Sequence, residues 1–104
     1  MASGYALHPE AFADLDEIRE YIARDNLDAA DRVIEDIFEM FRTLPSSPQR
    51  GFRRSDLTAR PLRFVLARGY LIAYAPEESP LWVLAVMHGR RSPRTMASIL
   101  RGRE

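Results

Sequence analysis

The stretch "LRFVLARGYLIAYAPEESPLWVLAVMHGRR", residues 62–91, decides the fold. It holds three short apolar runs, LRFVLA (62–67), YLIAYA (70–75) and LWVLAVMH (81–88), each closed by turn residues. Arg68-Gly69 is a two-residue linker of the kind that joins antiparallel strands in a tight hairpin. PEESP (76–80) turns the chain again. The third run is apolar on both faces, which suits a central strand. It stops at His88, where Gly89 supplies a close turn and Arg90 and Arg91 present two cations at the sheet's end.

Upstream, PSSPQRGFRRSDLTARP (45–61) has three prolines, a glycine and no period, and reads as a loop. Before it, Ala30, Val33, Ile34, Ile37, Phe38, Phe41 and Leu44 form one broad stripe at helical spacing over residues 28–44. Phe12, Leu15, Ile18 and Ile22 mark an earlier helix that opens at Pro9, where the missing N–H costs nothing. Asn26 stops that helix or caps the next. A break of about two residues forces the two helices into an antiparallel hairpin. YAL (5–7) reads as an edge strand. Downstream, SPRTMASILR (92–101) reads as a short helix with Ser92 as N-cap, Pro93 first, and Met96, Ile99 and Leu100 as its apolar edge. The predicted architecture is α+β in one domain over residues 1–104. It runs N-terminal strand, antiparallel α-hairpin, three-stranded antiparallel β-sheet and short C-terminal helix, with the helices on one face.

Composition narrows the function classes. No apolar stretch approaches the roughly 18 residues that span a bilayer, so no membrane partner is expected. The N-terminus has no basic segment followed by an apolar core, which argues against a secretory signal. Cysteine is absent, which excludes thiolate chemistry and fits a reducing compartment, so the expected location is the cytoplasm. The net charge of +0 hides a division: residues 1–41 carry eleven acids and three arginines, and residues 42–104 carry twelve arginines and four acids. Every basic side chain is arginine, whose planar fork suits carboxylates and phosphates. Either the two halves neutralise one another internally, or a cationic side faces an acidic partner.

Catalytic signatures are scarce. The chain has no G-x-S-x-G, P-loop, Gly-rich dinucleotide turn or zinc pattern. His8 and His88 are the only histidines; far apart and without ligand-spaced carboxylates, they predict no metal site, and no cofactor is implied. His8 reads as a residue at the start of the first helix, and His88 as a strand-end residue that could serve as a general base. Acid pairs such as Asp14/Glu17 and Asp36/Glu39 read as solvated charge on outward helix faces. Tyr70, Tyr74 and Trp82 read as core. Arginines cluster three times: Arg50, Arg53 and Arg54; Arg60, Arg63 and Arg68; Arg90, Arg91 and Arg94.

The ordered set resembles the ParE-type toxins of the RelE/ParE superfamily. LHPEAFADLDEIREYIARDNLDAADRVIEDI is similar to that family's opening, a strand leading into L-S/T-P-x-A-x-x-D-L-x-x-I-x-x-Y-I and a second helix. RPLRFVLARGYLIAYAPEESPLWVLAVMHGRR is similar to its hairpin G-x-Y-x-I-x-Y and its closing V/I-x-H-G-x-R. The match covers about residues 5–92, with His8 in place of Ser or Thr and Leu27 where proline is common. The resemblance implies the toxin of a type II toxin–antitoxin module, bound into a hetero-oligomer by a ParD-type antitoxin, with DNA gyrase as target. No sequence-specific DNA binding by this chain alone is expected.

The RelE branch of the same superfamily cuts mRNA on the ribosome, and that is the alternative. Such cleavage needs a base, an acid and cations on the phosphorane. RelE-like nucleases carry arginine directly after the hairpin's Gly-Tyr, and often a tyrosine on the last helix. Here those places hold Leu71 and Ala97. The set is incomplete, so no catalytic residue is assigned and a non-catalytic inhibitor is expected. The expected target surface is His88, Arg90, Arg91, Arg94 and Arg101. The expected antitoxin surface is Phe12, Leu15 and Phe38 on the hairpin's apolar rim, with Arg53, Arg54 and Arg63 meeting acidic residues.

Overall fold

Capping chemistry sets the helix boundaries. The computed structural model describes residues 4–104. Strand β1 (Tyr5–Leu7) leads into α1 (Pro9–Ala23), and His8 caps this helix: its Nδ1 accepts the Glu10 N–H at 3.0 Å. The imidazole thus does the capping work more often done by a Ser, Thr, Asp or Asn side chain. Asn26 caps α2 (Leu27–Thr43) through the Ala29 N–H at 2.9 Å, and a short 3₁₀ turn, Leu44–Ser46, ends the hairpin. Ser92 caps α3 (Pro93–Arg101) through the Thr95 N–H at 3.1 Å.

The strands β2 (Arg63–Ala67), β3 (Tyr70–Ala75) and β4 (Leu81–His88) form the predicted antiparallel meander. Both turn residues between β2 and β3 have positive φ, Arg68 at 54° and Gly69 at 83°. That is the type I′ geometry which matches the twist of the flanking strands. Strand β1 adds a fourth member, pairing parallel to β4 so that the order is β1-β4-β3-β2. The central strand is β4, as its two apolar faces require.

Helices lie on both faces, which corrects the one-face expectation. The α1–α2 hairpin packs Leu15, Ile18, Ile37 and Phe41 against Ile72, Tyr74, Val83 and Val86. The reverse face exposes Phe64, Leu71, Leu84 and Met87, and these must be covered too. Met96 and Leu100 of α3, with Leu57 and Leu62 from the preceding segment, cover them. Burying each such side chain contributes about 1.5–3 kcal/mol. Residues 45–61 are consequently held in place. The Tyr74 hydroxyl accepts the Gly51 N–H at 3.0 Å and donates to the Pro48 carbonyl at 2.8 Å, and Phe52 bridges Phe64.

One irregularity positions the site. Ala73 pairs with Ala85 but Tyr74 pairs with Val83, so Leu84 is an extra residue in β4. This bulge reverses the alternation. Val83 and Val86 both face the helix hairpin, while Leu84 and Ala85 face α3.

Candidate functional site

The altered alternation brings Val86 and His88 onto the α1 side of the sheet, where an open cleft of about 400 Å³ lies between α1 and the ends of β3 and β4. Asp14, Glu17, Ile18, Glu20, Tyr21 and Arg24 line one wall, and Tyr70, Val86, His88 and Arg91 the other. On α1 the positions 14, 17, 21 and 24 recur at helical spacing, which puts them on one face. Tyr70 and His88 are cross-strand partners with ring centroids 5.2 Å apart in an edge arrangement. Burial pushes the Tyr70 phenol above its ordinary value, and the nearby Tyr21 phenol adds to the effect. His88 Nδ1 accepts the Arg90 N–H at 3.0 Å, so in the neutral ring Nε2 carries the proton. The Gly89 N–H donates to the Gly69 carbonyl at 2.9 Å, and a Cβ at Gly89 would meet that same oxygen at 2.9 Å. Glycine there lets the basic turn sit against the β2–β3 turn.

Asp14, on the cleft wall, belongs to an ion pair with Arg103. Asp14 accepts from Arg103 through two bonds, at 2.5 and 2.8 Å, and also accepts the Val86 N–H at 2.9 Å. Arg103 in turn donates to the Leu84 carbonyl at 3.1 Å. Strand β1 ends its pairing at Val83, so these are groups of β4 that β1 leaves without a ladder partner. The pair covers an otherwise open sheet edge. Asp14 is therefore a half-buried acid bonded within the fold, which corrects the reading of Asp14 as solvated charge. The Asp14 hydrogen bond pushes the Arg103 guanidinium further above its ordinary value, against burial, which lowers it.

The arginine clusters divide sharply. Arg50 donates to Thr43, Arg54 pairs with Asp56, Arg60 caps the Leu100 and Arg103 carbonyls, Arg63 donates to the Gly51 carbonyl, and Arg68 pairs with Asp36. The side chains of Arg53, Arg90, Arg91, Arg94 and Arg101 are exposed and make no hydrogen bond or ion pair among the described residues. Two ion pairs, Asp14–Arg103 and Asp36–Arg68, join the basic segment to the acidic hairpin across the fold. Most of the cationic charge is left facing outward.

Of the residues expected to meet a target, His88, Arg90 and Arg91 lie together at the end of β4, and Arg94 and Arg101 sit two turns apart on α3. Of those expected to meet an antitoxin, Phe12 is 54% exposed, Phe38 is half-buried with its ring edge-on to Phe41, and Leu15 is 5% exposed in the core. Leu15 therefore offers no surface. Arg54 and Arg63 are engaged internally, and of the three arginines only Arg53 is free. Read from sequence, Glu17 is solvated charge, Tyr70 is core and Tyr21 has no role. The structure keeps Tyr70 in the core but sets all three along the cleft, and the spacing on α1 carried a signal for Glu17 and Tyr21. His8 stacks near Trp82 at 5.7 Å and, with His88, stands outside any group of three potential ligands among the described residues. No helix of the described residues is long and apolar enough to cross a membrane.

Comparison with known proteins places this architecture. The family model described as "ParE toxin of type II toxin-antitoxin system, parDE" matches residues 5–93. No curated protein matches the sequence. A solved structure described as "Chromosomal ParDE TA system from P. aeruginosa" superposes with a TM-score of 0.70 at 18% identity, covering 84% of this chain and 96% of that one. At that identity the likeness speaks for the fold, while the family match, over most of the chain, speaks for descent. The chain belongs to the ParE toxin family of type II toxin–antitoxin systems.

Proposed function

We propose that this protein inhibits growth by gripping an essential macromolecule, DNA gyrase in our reading, without catalysing a reaction. A ParD-type antitoxin encoded beside it holds it inactive in the cytoplasm. The observation that carries the non-catalytic reading is Leu71. At the place where RelE-like nucleases present arginine, Leu71 is 3% exposed and packed with Met87, Met96 and Leu100. Leu71 offers no cation or donor to a phosphate at that position. The unengaged cations instead gather at Arg90, Arg91, Arg94 and Arg101, a surface suited to an acidic partner.

A second reading has its own observation. An imidazole, a phenol and a guanidinium share one cleft at His88, Tyr70 and Arg91, groups able to move protons and steady a phosphate. Replacing both Arg90 and Arg91 with alanine tests the binding reading in cells. Growth inhibition should disappear while the thermal unfolding midpoint stays where it is. Undiminished toxicity of the double variant would contradict the assignment of this surface.

A further inference from the structure

Tyr70 is 8% exposed, and its hydroxyl makes no hydrogen bond among the described residues. The ring is buried, but the hydroxyl is not: it meets the open cleft, where water or a ligand can hydrogen-bond it. Tyr74, two pairs along the same face of the same strand, has both a donor and an acceptor. The Tyr70 hydroxyl lines the cleft, beside His88 with Nε2 free to donate and Arg91 without a counter-ion. Three donors therefore stand on the sheet-end wall. On the α1 wall opposite, Glu17 and Glu20 carry two carboxylates that form no salt bridge among the described residues, and with Arg24 as the one cation of that wall it stays net acidic. The floor between them, Ile18 and Val86, is apolar.

Two walls of opposite charge across an apolar floor specify their occupant. We propose that this cleft is the anchor for the antitoxin and takes a segment in which an acidic and a basic side chain flank an apolar one. This rests on the functional reading above and moves the antitoxin contact away from the hairpin rim. The acidic side chain accepts from Tyr70, His88 and Arg91. The apolar one seats on Ile18, Val86 and the exposed ring of Tyr21. The basic one meets Glu17 and Glu20. Charge on both sides fixes the direction of the segment as well as its identity, since a reversed segment sets like charges together. His88 and Arg91 also belong to the proposed target surface, so an antitoxin seated here excludes the target by occupying the same side chains.

The probe is the adjoining ParD-type antitoxin, titrated against the purified toxin. Tyr70→Phe, which keeps the ring, should weaken binding about tenfold, the loss expected for one hydrogen bond to a charged group. Arg91→Glu and the pair Glu17→Arg/Glu20→Arg should each weaken it at least as much, and the antitoxin-bound toxin should not capture gyrase. Wild-type affinity for all these variants, with loss instead on Phe12→Ser or Arg53→Glu, overturns the cleft assignment and leaves the toxin–antitoxin reading standing. Failure of the unaltered chain to bind the antitoxin overturns both. Cleavage of RNA that is lost on Tyr70→Phe and His88→Ala assigns the cleft to a phosphodiester and also overturns the proposal.

Discussion

The carboxylate of Asp14 and the guanidinium of Arg103 are 89 residues apart in the chain and share two hydrogen bonds in the fold. Together they also satisfy the Val86 N–H and the Leu84 carbonyl beside the β4 bulge. Removing one partner of a buried pair strands the other, so Asp14→Ala should cost about 3 kcal/mol. The more diagnostic variant removes both. Buried pairs can often be replaced by apolar residues at little cost, but here Asp14→Leu/Arg103→Met also orphans two backbone groups. It should remain about 2 kcal/mol less stable than wild type in denaturant titration. Recovery to wild-type stability would show that the edge groups do not depend on the pair.

Tyr70 and Tyr74 give a matched comparison. Tyr74→Phe removes both hydrogen bonds that hold residues 48–51 and should destabilise by about 2 kcal/mol. Tyr70→Phe removes a hydroxyl without a partner and should leave stability within about 0.5 kcal/mol of wild type. Chemical denaturation of the two variants side by side checks this.

Arg68 sits at φ 54°, in the left-handed region that disfavours side chains with a Cβ. Its ion pair with Asp36 is exposed and spans 3.5 Å, so it contributes little. Arg68→Asn restores the Asn-Gly pair that type I′ turns prefer and should add about 0.5 kcal/mol. A fall in the unfolding midpoint would mean that the exposed pair outweighs the backbone strain.

Alkaline pH isolates the tyrosines, because the chain has no lysine and no cysteine. Burial raises the phenols of Tyr70 and Tyr74; for Tyr74 the Gly51 N–H, Arg63 and Arg50 pull the other way without cancelling it. The folded state therefore holds these two protons more tightly than the unfolded state, whose phenols titrate near pH 10. Stability should be full below about pH 10 and fall as pH rises through the higher folded values. Combining Tyr70→Phe with Tyr74→Phe should flatten that alkaline limb.

Local chemistry was legible in the sequence, and distant partnership was not. The hairpin at Arg68-Gly69, the caps at Asn26 and Ser92 and the apolar stripe of α2 each depend on residues within a few positions of one another. The two-faced apolar pattern of β4 marked its central place, yet its consequence for α3 was not drawn. The bulge at Leu84 has no composition of its own, so the turning of Val86 and His88 toward α1 could not be read. Asp14 looked like any acid on a charged helix because the residue that pairs with it is Arg103. The arginine clusters overstated the free charge for the same reason: Arg60 and Arg63 spend their donors on carbonyls that only the fold brings near.

The central claim is that this chain works by holding a partner, with no bond made or broken. Purified protein assayed in parallel for inhibition of gyrase supercoiling and for cutting of mRNA on ribosomes measures it directly. We predict inhibited supercoiling that Arg90→Ala/Arg91→Ala relieves, and intact transcripts. Transcripts cut at defined positions, with supercoiling untouched, would contradict the account.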